Sequence, residues 1–213
     1  MERSGLSGAQ PLFVLVVGTP GSGKSFFARQ FADSYRFFYV ETGRFENIVS
    51  TLSSSNKEVI ATAKLITDAI LDQALRSFKH IILEGPYYSA RDREEILSRA
   101  RKAGFGTLIV WVQTDLETSE YRALNRDRRR VDDKYSLSFS QAEFAQMTRA
   151  FQKPNSNKDN LVVVSGKHDF KSQGVIVLKK IAGMYVNGAT ESVGVTNNSG
   201  TTPKRVVTRP VIR

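Results

Sequence analysis

Apolar positions along the chain follow two alternating patterns: short uninterrupted runs, and longer stretches where they recur every three or four residues. Leu12-Phe13-Val14-Leu15-Val16-Val17 is the first run, uncharged and β-branched, as expected of a strand covered on both faces of a parallel sheet. Residues 37–40, 81–83, 107–112 and 161–164 repeat that pattern. Between the runs the spacing turns helical. Phe26, Phe27, Phe31, Ala32 and Tyr35 predict a helix behind the first strand. Val59, Ala63, Ile66, Ile70 and Ala74 predict a long one, opened by the capping box Ser55-x-x-Glu58. Residues 89–103 carry Ile96, Leu97, Ala100 and Ala103 on one face, and Gly104 marks the stop. Thr114-x-x-Glu117 predicts a helix running on through Arg122 to Arg130; Ser140-x-x-Glu143 predicts another, ending before Pro154. Residues 174–184 form the last amphipathic stretch.

Five apolar strands alternating with helices predict an α/β fold of three layers, a five-stranded parallel sheet with helices on both faces. The run after Phe37 ends in Glu41-Thr42-Gly43-Arg44, expected as a polar loop on the side of the sheet where ligands bind. Residues 1–11 are expected as a flexible lead-in, 12–185 as the domain, and 186–213 as a flexible basic tail.

The chain has 213 residues, enough for one domain with a substantial core. It has no cysteine, which excludes disulfides and thiolate metal sites and favours the cytoplasm. No apolar run approaches the roughly 18 residues of a membrane span, and residues 1–11 lack the pattern of a signal peptide, so no membrane partner is expected. His80 and His168 stand too far apart for metal-ligand spacing, and His80, at a strand start, reads as structural.

Between the first strand and its helix lies Gly18-Thr19-Pro20-Gly21-Ser22-Gly23-Lys24-Ser25, which fits G-x-x-x-x-G-K-[ST] at every fixed position. The glycines let successive N–H groups turn inward around a phosphate, and the helix start adds further N–H groups and its positive dipole end. Lys24 brings a mobile charge to the β- and γ-phosphates, and the Ser25 hydroxyl can join the shell of a Mg²⁺ ion. With Phe26 behind them, these residues are the candidate nucleotide-binding set.

A metal–nucleotide complex needs an acid nearby, and Glu84, at the end of an apolar strand, is the candidate beside Ser25. A cap for the following turn is the competing assignment. Arg122, Arg126 and Arg130 fall at i, i+4 and i+8 of the predicted helix, so their guanidinium groups converge as expected of groups that stabilise a transferring phosphoryl. The competing assignment is a solvated basic face paired with Glu120, Asp127, Asp132 and Asp133. Residues 124–151 are the candidate lid, and Ser165-Gly166-Lys167-His168 could wrap the nucleotide base. The net charge of +10 fits an anionic substrate and equally leaves nucleic acid open as a partner.

On the loop, the 81–84 strand and the Arg122 to Arg130 helix, the chain resembles the small P-loop kinases. It is most similar to the polynucleotide-kinase-like and zeta-toxin-like group, often described only as AAA-family ATPases. The resemblance spans about residues 12–184 and implies ATP with Mg²⁺ and a phosphoryl acceptor opposite the nucleotide. It implies Lys24 as the loop lysine, Ser25 as the metal-binding hydroxyl and Arg126 as the lid arginine, with Arg122 and Arg130 beside it. The group places an Asp after the second strand as the base, where this chain has Gly43 or Arg44. Glu41 or Glu46 can substitute, since a base need only come within hydrogen-bond reach. The alternative is a nucleotide-dependent ATPase or nucleic-acid-binding regulatory module without a dedicated acceptor.

Overall fold

The computed structural model describes residues 10–52, 55–126, 139–156 and 159–193. Five strands form one sheet: β1 (Leu12–Val17), β2 (Phe38–Glu41), β3 (Ile81–Glu84), β4 (Gly106–Gln113) and β5 (Leu161–Ser165). Their order across the sheet is β2-β3-β1-β4-β5, and every pairing is parallel, as the alternating pattern predicted. In β1 alternate side chains serve opposite faces. Leu12, Val14 and Val16 join one core with Phe27, Phe31 and Val177, while Phe13, Leu15 and Val17 join the other with Leu71, Leu97 and Phe105. No residue of β1 is more than 3% exposed, which is why the strand reads as an unbroken apolar run.

The first core lies under α1 (Lys24–Tyr35) and α7 (Phe170–Val193); the second lies under α3 (Asn56–Arg76) and α4 (Ala90–Lys102). Ser55 and Ser89 cap α3 and α4 by accepting from the N–H groups of Glu58 and Asp92. Ser140 and Glu143 complete the expected capping box of α6 (Gln141–Ala150). His80 is structural: its Nδ1 accepts from the Leu12 N–H at 3.0 Å, its ring stacks on Phe37, and burial lowers its pKa.

Three expectations are corrected. The residues after β2 are not a polar loop but enter α2 (Thr42–Ser50) directly. Gly43 in a helix costs about 1 kcal/mol, but Val49 and Thr42 are buried against neighbouring elements, and that packing outweighs the propensity. The arginine helix is shorter than predicted. α5 (Leu116–Leu124) ends where the main-chain N–H and Nδ2 of Asn125 both donate to the Tyr121 carbonyl, so Arg122 and Arg126 do not share a helical face. Its N-cap is Asp115, whose carboxylate accepts from the Thr118 N–H at 2.9 Å, rather than Thr114. Finally, α7 continues past Tyr185 to Val193, because an established helix adds one hydrogen bond for each further residue it fixes. The expected lead-in up to residue 9, the tail from 194, and residues 127–138 with Arg130 lie outside the described residues.

Candidate active site

The carboxyl ends of β1, β3 and β4 meet where the strand order reverses, the place where open α/β sheets bind ligands. The 18–25 loop leaves β1 at that point and α1 starts at Lys24, so strand, loop and helix stand in the predicted succession. Two glycines make the packing possible. A β-carbon on Gly21, whose φ is 74°, would lie 1.9 Å from the Ser119 carbonyl oxygen of α5. One on Gly166 would lie 1.9 Å from the Ser22 carbonyl oxygen, so the loop after β5 rests directly on the phosphate loop. The Thr114 hydroxyl donates to that same Ser22 carbonyl at 3.0 Å. Gln173 braces the β5 side by donating to the Ser165 and His168 carbonyls.

Lys24 is 8% exposed, and its Nζ donates to the Thr19 carbonyl at 2.9 Å, folding back over its own loop. Burial lowers its pKa to about 8, opposed by the attraction of Glu84 and reinforced by Arg126. Glu84 is 6% exposed at the end of β3; burial raises its pKa, while Lys24, Ser25 and Arg126 pull it down and Glu41 pushes it up. Glu41 is the register partner of Glu84 in β2 and pairs with Arg29 at 3.6 Å. Glu46, on α2, joins the same cleft; burial and then Glu84 raise its carboxyl to about 6.

Two hollows converge on these groups. A groove of about 810 Å³ runs between the loop, the end of α5 and residues 166–169, and Gly21, Gly23, Phe26, Arg122 and Arg126 line it. Lys24 and Ser25 form its floor and also line a narrower cleft with Glu41, Glu46 and Glu84. Arg122 reaches across the groove to donate to the Gly166 carbonyl at 3.0 Å, and Arg126 lies over the Phe139 ring at 5.4 Å. Thus Lys24, Ser25, Glu84 and Arg126 come together at the cleft, Arg122 lines the groove, and Glu41 and Glu46 both reach the cleft.

Sequence patterns missed several supports of this site. Arg93 is 3% exposed and donates to the Tyr87 and Tyr88 carbonyls, fixing the segment after β3. Tyr88, Phe139 and Met147 wall the cleft from three separate segments. Their proximity has no local signature. The close approach of Gly166 to Ser22 could have been suspected from a glycine placed directly after a strand.

The donor set suits Mg²⁺. Ser25, Glu84 and Glu41 offer hard oxygens beside a phosphate cradle, and such ions are held by one or two protein oxygens with substrate phosphates and water rather than by a protein cage. Among the described residues no group of three or more His, Cys, Asp or Glu could hold a metal ion by itself. No described helix is long and apolar enough to cross a membrane.

No curated protein sequence matches the chain significantly. Solved structures share its fold at low identity. A candidate kinase of Chloroflexus aurantiacus is 16% identical with a TM-score of 0.64, the match covering 83% of this chain and 99% of that one. A gluconokinase of Sinorhizobium meliloti is 15% identical with a TM-score of 0.53, covering 87% and 97%. Kti12 of Chaetomium thermophilum, solved in complex with ADP-AlF3, is 18% identical with a TM-score of 0.56, covering 78% and 96%. The AAA domain matches residues 13–154, a span that takes in the phosphate loop, Glu84 and Arg126, and the chain therefore belongs to the AAA-domain family and has the fold of the small P-loop kinases.

Proposed function

We propose that the protein is an ATP-dependent phosphotransferase that moves the γ-phosphoryl group of Mg²⁺-ATP to a hydroxyl acceptor. The observation that carries this reading is the sharing of Lys24, Ser25 and Arg126 by the large groove and by the carboxylate-lined cleft. A nucleotide in the groove thereby has its terminal phosphate at the mouth of a second compartment.

In this reading the loop amides and Lys24 hold the β- and γ-phosphates, and Ser25, Glu84 and Glu41 would hold the metal. A bound Mg²⁺ neutralises charge on the phosphate oxygens. Arg126, kept in place by Phe139, faces the transferring group, and Arg122 steadies the wall near the base. The acceptor oxygen forms a bond to γ-phosphorus as the bond to the bridging oxygen breaks, ADP leaves, and the hydroxyl proton passes to Glu46. With its pKa near 6, Glu46 is ionised at neutral pH yet basic enough to take the proton, whereas Glu41 is engaged with Arg29.

The direct test is transfer of label from γ-labelled ATP to an acceptor pool, with Lys24→Met as control. Nucleotide binding and turnover that survive Lys24→Met would overturn the assignment.

A further inference from the structure

We infer that the acceptor is a compact hydroxyl compound bearing an amino group, held in a cavity of about 280 Å³ bounded by α2, α3 and α4. The inference rests on the phosphotransferase reading, because it names what stands on the far side of the transfer. The cavity adjoins the catalytic cleft: Glu46 and Pro86 line both. An acceptor seated there can present a hydroxyl to Glu46 while the rest of it remains among the helices.

Size and shape select the class first. At about 280 Å³ the cavity lies just below the roughly 300–1,000 Å³ typical of small-molecule sites, so it suits a single ring or a short chain and not a polynucleotide. Ile60, Ile96 and the Tyr87 ring supply apolar surface for a carbon skeleton. Thr42 lines the cavity, is 7% exposed, and has a buried hydroxyl without a hydrogen-bond partner at the cavity's edge beside Gly85. The Tyr87 phenol is near enough for Thr42 to ease its ionisation, but no bond of proper geometry joins them. A buried hydroxyl in that state favours a ligand with a polar group of its own.

Charge then selects the sign. Asp68, Asp92, Glu95 and Glu46 line the cavity against Lys64 and Arg99. Arg99 is already engaged, bonded to Asp68 and Asp72 at 2.6 Å each and to the Asp68 carbonyl at 3.0 Å. Among the described residues no salt bridge holds Asp92 or Glu95, although Asp92 feels the charge of Arg93; with Glu46 they leave the lining more acidic than basic, opposed by Lys64. On a chain of net charge +10 this is a local reversal of sign, and it repels phosphorylated or carboxylated acceptors while attracting an ammonium group.

The test compares acceptors of equal carbon framework and different charge: glucosamine, glucose and gluconate first, then matched amino alcohols and hydroxy acids, with an oligonucleotide bearing a free 5′-hydroxyl. Phosphate transfer and acceptor binding are measured on the full chain with Mg²⁺-ATP. The expected result is that at least one amine is preferred about 10-fold or more in kcat/KM over its neutral twin. That preference should vanish in Glu95→Gln and in Asp92→Asn while nucleotide affinity is retained. Preference for an anionic twin or the oligonucleotide overturns the inference, as does failure of every amine to bind at millimolar concentration. A wild-type chain that does not bind ATP sinks the phosphotransferase reading itself. One that binds and consumes ATP through Lys24 but favours an anionic acceptor sinks this inference alone.

Discussion

The groove beside the phosphate loop and the cavity under α2 to α4 lie on either side of Lys24, yet they are built in different ways. The groove is bounded by the loop with its amides, the start of α1, the end of α5 and the 166–169 turn, packed through glycine contacts, and its side chains include Lys24, Arg122, Arg126 and Lys167. The cavity is made of side chains from three helices and carries more carboxylates than cations. A main-chain cradle recognises any triphosphate tail, since amides and a dipole do not depend on side-chain identity. A side-chain cavity recognises one acceptor class, and small sequence changes there alter which. On the proposed function, generality belongs to the first compartment and selectivity to the second.

That division can be broken at several points. The largest effect is expected from Lys24→Met, which removes the charge that the groove shares with the narrow cleft beside the cavity: transfer should drop about 10³-fold, with the loss visible in turnover and in nucleotide binding. Retained turnover would mean that the lysine is a structural strut on Thr19. Next comes Glu46→Gln, expected to slow transfer about 10²-fold with nucleotide affinity unchanged, separating chemistry from cradle. The wild-type rate should rise with pH through about 6 as the raised carboxyl loses its proton, and the variant should lack that limb; a limb that persists assigns the base elsewhere.

Smaller effects sharpen the contrast. Gly166→Ala sets a methyl against the Ser22 carbonyl, and overpacking of about 1–3 kcal/mol should weaken nucleotide binding roughly 10-fold without changing acceptor KM. Calorimetric titration with ADP reads the first quantity and steady-state kinetics the second. Thr42→Val keeps the volume and deletes the orphan hydroxyl, so acceptor KM should rise about 5-fold, matching roughly 1 kcal/mol for one hydrogen bond, while ADP affinity stays level. An equal shift in both constants would show that the compartments are not independent.

The same division explains what could be seen in the sequence. β1, the loop and the α1 start follow local rules, strand periodicity and a fixed motif, and these appear in the structure as expected. Glu84 and Arg126 were also reachable, one from its place at a strand end and the other from the resemblance. The geometry expected for Arg126 was wrong in its cause, because Asn125 closes α5 one residue earlier and Arg126 reaches the cleft as a residue beyond the helix. α2 was missed because Gly43 and the charged run around it argue against a helix, and only packing against other elements, felt at Val49, decides the matter. The cavity under α2 to α4 was illegible for the same reason: Thr42, Asp68 and Glu95 are brought together by tertiary packing, and no spacing along the chain announces it.

The burial of the Lys24 amine beneath its own loop has an acid–base consequence. With a pKa of about 8, roughly half of these amines are uncharged at pH 8, whereas an arriving polyphosphate demands the ammonium form. Nucleotide capture in mildly alkaline solution must therefore draw protons from the buffer. Affinity should decline with alkalinity by as much as about 10-fold for each unit above that point, and titrations in buffers of different ionisation enthalpy will give unequal heats.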